Sequence, residues 1–310
     1  MFRNGVLALL VTCAVGASTH VAGGQSERAA GQRELEGTLS LMTERLASEG
    51  RSPQDTIDWA RQLAAGYRGL QPAARGFGAA DQALNRRLAQ QSFAWLSRAR
   101  VLYGRHPAVN AQLLHAYGAI GGFYRDYGTF YPAAAVTAFG GASRIARGLV
   151  LTGGGSQYER DLEQYALAYA TAAYAFGPSF AWWRQPTDLQ EPPSRGRGQL
   201  LPAPPPVELP TVDVTQLTTE QRRQWTDVQD RFGTTSTRVH DARLRMNELA
   251  ARLERQQLTV NLLDAATAAK MQGFLEDAAD LVKTREFALA IEALQRADYE
   301  RAKLRNVIGH

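Results

Sequence analysis

From Trp225 to Leu263 the chain holds one spacing. Trp225, Val228, Phe232, Thr235, Val239, Ala242, Met246, Leu249, Leu253, Gln256, Val260 and Leu263 step alternately by three and four residues without a slip. Such a stripe lies along one side of a helix and cannot be built by a strand, so the segment reads as a helix with a coiled-coil seam. Thr218 and Gln221 fit a capping box at its start. Gly233-Thr-Thr-Ser-Thr237 interrupts the pattern with poor helix formers and predicts a bend or a hairpin there. A second stripe, Leu244, Ala251 and Leu258, lies on another face. A helix buried on two faces belongs in a bundle of three or more, and two further helices are expected nearby, at about 265–283, opened by Asp264, and at about 286–307. The heptad helix is therefore expected to pack against its own C-terminal hairpin, with a homodimer as the alternative.

The same helix carries Arg231, Arg238, Arg245 and Arg252, one every seven residues. The row reads either as a basic stripe for an acidic partner or as local pairing with Asp227, Asp241 and Glu248. Each of those acids precedes an arginine by four residues, and such pairs contribute about 0.2–0.5 kcal/mol each. Local pairing is the expectation.

The region before residue 184 reads as helix after helix. Leu35, Leu39, Met42 and Leu46 step by four, three and four, and Gly50 stops that helix. Ser52-Pro53 with Asp55 is a start signal: serine caps, proline suits the first helical position and the acid faces the dipole. Ile57, Ala60, Leu63 and Ala64 continue it to Gly66. A longer helix carries Leu84, Leu88, Trp95, Ala99 and Leu102 and ends at Gly104. Others follow at about 108–127, 132–151 and 157–176, the last with Ser156 and Glu159 as a capping box. Runs of alternating β-branched residues are missing, so the fold class is all-α.

Eight prolines from Pro186 to Pro210 crowd a stretch that neither helix nor central strand tolerates. It reads as a semi-rigid linker over 185–214, between a helical domain at 30–184 and a heptad helix with its C-terminal hairpin at 215–310. Residues 1–24 have the order of a secretory signal: Arg3, the apolar run Gly5–Ala17, then small residues. The apolar run is too short to span a membrane, and no later segment is longer and free of charge. Cys13 is the one cysteine of the chain and lies in this run, so a mature chain would hold no disulfide and no thiol nucleophile. Leu10-Val-Thr-Cys13 also resembles the lipobox of bacterial lipoproteins, with Thr12 where such boxes carry Gly, Ala or Ser, which offers anchoring through Cys13 as an alternative. The expected location is periplasmic or extracellular. A net charge of +5 on 310 residues is too mild for a nucleic-acid binder, and export argues against one as well.

Aromatic residues are dense from Tyr117 to Trp183 and alternate with Ala and Gly at helical spacing. They read as a groove for a peptide or glycan, with Tyr124, Tyr127, Tyr131 and Tyr169 as the candidate partner-binding residues, or as core in which small residues receive rings from the next helix. Regular spacing favours core.

Within 114–142, Tyr117, Ile120, Gly121, Tyr124, Gly128 and Phe130 resemble the first helix and turn of a tetratricopeptide (TPR) unit, and Ala135, Phe139 and Ala142 its second helix after a longer turn. Phe274, Ala278, Leu281, Phe287, Ala290, Ile291, Leu294 and Ala297 resemble a second unit. Leu162, Tyr165, Ala166 and Tyr169 would begin another, which Pro178 breaks off. The resemblance implies a short α-solenoid of helical hairpins, and a protein- or peptide-binding scaffold with no shared catalytic residues.

Of the five histidines, His20 lies in the signal-like segment, His310 ends the chain, His106 precedes Pro107, and His115 and His240 fall on predicted helices. None has a second ligand three or four residues on, and no HExxH occurs, so no metal site is expected. No GxSxG, P-loop or dinucleotide fingerprint occurs, and no cofactor is expected. Gly153-Gly-Gly155 reads as a turn in preference to an anion cradle, because Glu159 would repel phosphate. Glu159 and Glu163 share a helix face and would serve a glycosidase only from a cleft. The sequence thus points to an exported, non-catalytic, protein-binding scaffold or adaptor at the bacterial cell envelope. The alternatives are an all-α glycan-acting envelope enzyme and a structural coiled-coil spacer that oligomerises through 215–310.

Overall fold

The computed structural model describes residues 21–48, 52–70, 79–126, 131–176 and 205–308. Most of the signal-like segment with Cys13, part of the proline-rich stretch, and Tyr127 lie outside the described residues. Those residues form nine α-helices and no strand: α1 Val21–Ser48, α2 Pro53–Leu70, α3 Ala79–Tyr103, α4 Pro107–Asp126, α5 Pro132–Leu151, α6 Ser156–Phe176, α7 Thr219–Arg255, α8 Leu262–Lys283 and α9 Phe287–Ile308. None is long and apolar enough to cross a membrane. The fold is all-α and built of helical hairpins, as the periodicity predicts.

Local chemistry sets most boundaries. The Ser52 hydroxyl accepts the Gln54 amide at 3.1 Å and starts α2. Thr218 and Gln221 form the expected capping box of α7, with bonds of 3.1 and 3.2 Å. Two starts differ from expectation. Asn261, not Asp264, caps α8 by accepting the Leu263 amide at 2.9 Å. At α6, Ser156 is already helical, and Glu159 pairs with Arg296 instead of closing a capping box. Gly153 and Gly155 make the α5–α6 turn at φ of 79° and 83°, where a side chain would be strained. α2 runs on through Gly66 to Leu70, beyond its expected stop.

α3 packs on α1, α1 and α4 on α2, α4 on α5, α5 on α6, α6 on α8, α8 on α9 and α9 on α7. The α4–α5 hairpin interlocks by glycine and ring: a Cβ on Gly121 would stand 2.6 Å from the Phe139 ring, and one on Gly141 would meet Tyr117. Large rings thus fill the gaps that small residues leave, as the spacing suggests. One hydrophobic cluster continues from α1–α6 into α7–α9, including Ala146, Leu149, Phe274, Ala278 and Met246. Residues 205–213 run without helix along α7; Val207 and Leu209 pack on the core, and Ser236 donates to the Val207 carbonyl at 3.3 Å.

α7 is one continuous helix through Gly233–Thr237, with no hairpin there. Those small polar residues have cross-helix work: the buried Thr235 hydroxyl donates to Asp298 of α9 at 2.8 Å. The seam from Trp225 to Met246 is buried within the chain, and Trp225–Phe287, Thr235–Asp298 and Arg245–Ile308 set α7 and α9 parallel. Beyond Met246 burial moves to Ala250, Ala251 and Glu254, while Leu249 and Leu253 are half-exposed. The shift begins where α9 ends, since Ile308 lies beside Arg245. The helix ends at Arg255, and Gln256, Val260 and Leu263 leave the stripe. The expected local pairs do not form either. Arg231 and Arg252 make no ion pair among the described residues, Arg238 reaches Asp298 at 3.7 Å, and Arg245 donates to the Ile308 carbonyl.

Two glycines test the packing with opposite signs. Gly121→Ala should destabilise the fold by about 1–3 kcal/mol, because Phe139 must move. Gly148→Ala in α5, which has open space around its Cβ, should stabilise it by about 1 kcal/mol through helix propensity. Urea unfolding monitored by circular dichroism reads both; equal effects would show that Gly121 is not a contact point.

Candidate functional site

Three of the four candidate tyrosines lie in the core. Tyr124 is buried, and its hydroxyl donates to the Asn85 carbonyl at 2.9 Å. Its ring packs on Phe123 at 4.9 Å, Tyr67 at 5.9 Å and Tyr131 at 6.0 Å. Tyr67 in turn shares a 2.8 Å hydrogen bond with Ser92, and burial pushes its phenol up to about 12. Tyr131 is buried under Arg86, whose guanidinium lies 5.6 Å from the ring centre. Tyr169 is buried on α6, far up in pKa through the same loss of water. Tyr124, Tyr131 and Tyr169 therefore offer no free face to a partner as a groove would require, and Tyr127 lies outside the described residues.

The concentrated chemistry lies instead where α5 and α6 meet α8 and α9. Arg147 of α5 is 1% exposed and closes on Asp277 of α8, with Nε–Oδ2 at 2.7 Å and Nη2–Oδ1 at 3.3 Å. This two-point geometry suits a guanidinium taken out of water. Its guanidinium lies against the backbone at Gly273, where any Cβ would overlap it. About one turn further out, Arg144 pairs with Asp280 at 2.9 Å, and Arg105 of the α3–α4 turn pairs with Glu286 at 2.8 Å.

At the other end of α8 the signs are reversed. Lys270, also 1% exposed, is held between Glu163 of α6 and Glu300 of α9, the latter at 3.0 Å. Lys303 joins the same two acids, at 2.9 Å from Glu300 and 3.7 Å from Glu163, and Glu159 takes Arg296 at 2.9 Å. The Glu159–Glu163 face is thus occupied by cations of α8 and α9. Neither carboxylate stands free in a cleft.

Between these ends α7 adds a third strand of polar contacts. Buried Arg243 donates from Nη1 to Gln272 at 2.7 Å, and Gln272 donates to Glu276 at 2.7 Å. Burial draws the Arg243 guanidinium down to about 10, with Glu276 opposing that shift. Burial raises the Glu276 carboxyl, and Gln272 and Arg147 offset only part of the rise. Glu276 is the described carboxyl whose setting most resembles that of a general acid. His115 and His240 lie on α4 and α7, and among the described residues no three His, Cys, Asp or Glu gather as a metal site would require.

Neither Arg147 nor Lys270 stood out from sequence as a site residue. The available signal was a lone cation in an apolar helix: Ile145-Ala-Arg-Gly-Leu149 and Ala268-Ala-Lys-Met271. A charge in such a run is either exposed or answered by an opposite charge from another helix. No protein-family model, curated protein or solved structure matches the chain.

Two predictions follow from burial. Asp277→Asn should destabilise the fold by about 3 kcal/mol, because it leaves a buried guanidinium without its anion. Asp280→Asn should change stability by less than about 1 kcal/mol, since Arg144 and Asp280 are 35% and 46% exposed. Chemical denaturation of the two variants separates these cases. Glu276→Gln should raise the melting temperature at pH 7. The raised carboxyl favours folding in its protonated form; that stability is fully present below the ordinary glutamate range and is lost as pH rises through the folded value. The gain from Gln should therefore vanish on acidification to about pH 4. A constant gain across that range would place the effect elsewhere.

Proposed function

We propose that the chain is an exported, non-catalytic scaffold that binds another protein at the bacterial cell envelope. The observation that carries this reading is the packing of helix on helix from α3 through α1, α2, α4, α5, α6, α8 and α9 to α7, with the internal charges largely consumed in locking neighbouring helices together. Such an arrangement lays out exposed helix faces on a rigid frame, which is what a TPR-like scaffold uses to hold a partner. The signal-like segment at 1–24 supports export. The shared core of α1–α6 and α7–α9 also decides how the reading is tested, because removing either region would strip apolar surface from the other.

The test keeps the full chain. Photo-reactive residues are placed one at a time at exposed positions of α3, α4, α7 and α9 in cells, and crosslinked products are identified by mass spectrometry. One stoichiometric envelope protein, captured from neighbouring positions, is the expected result. Capture of the chain itself alone would overturn the reading in favour of a structural oligomer. Release of peptidoglycan fragments by the purified protein, lost in Glu276→Gln, would replace it with a glycan-acting enzyme.

A further inference from the structure

Among the described residues the carboxylates on α7 leave the two ends of its arginine row, Arg231 and Arg252, without an ion pair, and further arginines lie on the neighbouring helix. Arg231, Arg238, Arg245 and Arg252 are all exposed on α7 and recur every seven residues, a repeat of about 10 Å along the axis. Because α9 runs parallel to α7, Arg301 and Arg305 lie beside the middle of that row. Arg301 sits 3.9 Å from Asp298, its Nε buried without a hydrogen bond, and its guanidinium is drawn down by burial first, then by Arg305, with Arg238 adding to the effect. These cations crowd one another, and the nearby acids Asp298 and Asp241 only partly relieve it. Arg231 and Arg252, at the two ends, make no ion pair among the described residues.

We infer that the exposed arginine-bearing face of α7, with Arg301 and Arg305 of α9 beside its middle, is the partner-docking surface of the scaffold, and that its occupant is a helical protein segment bearing carboxylates at seven-residue spacing. The inference rests on the scaffold reading and names its working face. Charge complementarity selects the occupant: a third helix laid along two parallel helices presents acids at the same two-turn repeat as the arginines. The acids that flank the row argue for a protein over an anionic membrane. Asp227, Asp241 and Glu248 stand between the arginines, where a continuous layer of phosphates would meet them and a helix with discrete carboxylates would not.

The test uses a synthetic four-heptad helical peptide with Glu at every seventh position, a Lys-substituted control, and phosphatidylglycerol vesicles, each titrated against the full-length protein. The Glu peptide should bind, more weakly as salt rises, and the Lys control should not. Arg231→Glu/Arg252→Glu should weaken Glu-peptide binding about tenfold with the melting temperature little changed, since neither arginine forms an ion pair among the described residues. No binding by the Glu peptide, equal binding by the double variant, or arginine-dependent capture of vesicles in place of the peptide would each overturn the inference. In the cell experiment, an envelope partner captured only from positions away from α7 and α9 sinks this docking face and leaves the scaffold standing. Capture of no partner from any position sinks the scaffold itself.

Discussion

A guanidinium placed against bare helix backbone sets the terms for this fold. Arg147 can lie on α8 only because residue 273 is glycine, and it can stay there only because Asp277 takes its charge. A buried arginine without an anion costs several kcal/mol, so any arrangement of α5 and α8 that separates the two is strongly disfavoured. The pair adds little net stability over an apolar contact of equal volume. What it does is select one approach of the two helices from the many that an Ala-rich surface would allow.

The reversed signs along α8 extend that selection to direction. Lys270 and Asp277 are two turns apart on one helix, and they meet Glu163 of α6 and Arg147 of α5 respectively. Turning α8 end for end would set Lys270 against Arg147 and Asp277 against Glu163. Small residues dominate α8, with Ala265, Ala266, Ala268, Ala269, Ala278 and Ala279 buried, so shape alone would define its register poorly. Here charge supplies the specificity that side-chain volume does not, and it joins the hairpin α8–α9 to the helices that precede the proline-rich stretch.

Helical class, most helix ends and the α7 capping box were legible in the sequence, because each follows from local chemistry: periodicity, proline and glycine placement, and reciprocal caps. The seam of α7 was legible in position, and so was its cover: apolar residues on two faces pointed to the chain's own C-terminal hairpin, and α9 of that hairpin lies on the seam. The Gly233–Thr237 stretch misled. Its propensities are local, whereas the Thr235–Asp298 and Ser236–Val207 bonds that hold it helical come from distant residues. The charged junction was least legible, since Arg147 and Asp277 lie 130 positions apart and only the fold joins them.

The tyrosines show why residue type alone does not locate a binding face. Tyr124 satisfies its hydroxyl on the Asn85 backbone, and Tyr67 satisfies its own on Ser92, so these polar tips hold the core together. A residue engaged in that way cannot be turned outward without opening the helices around it. On the scaffold reading proposed above, a partner meets the chain where polar groups remain unanswered by the fold. The internal junction is closed by its own opposite charges, while among the described residues Arg231 and Arg252, at the ends of the α7 row, form no ion pair. In that reading the interior charges define the frame and recognition belongs to the outer faces of the last helices, where a change of charge alters what can bind without altering what folds.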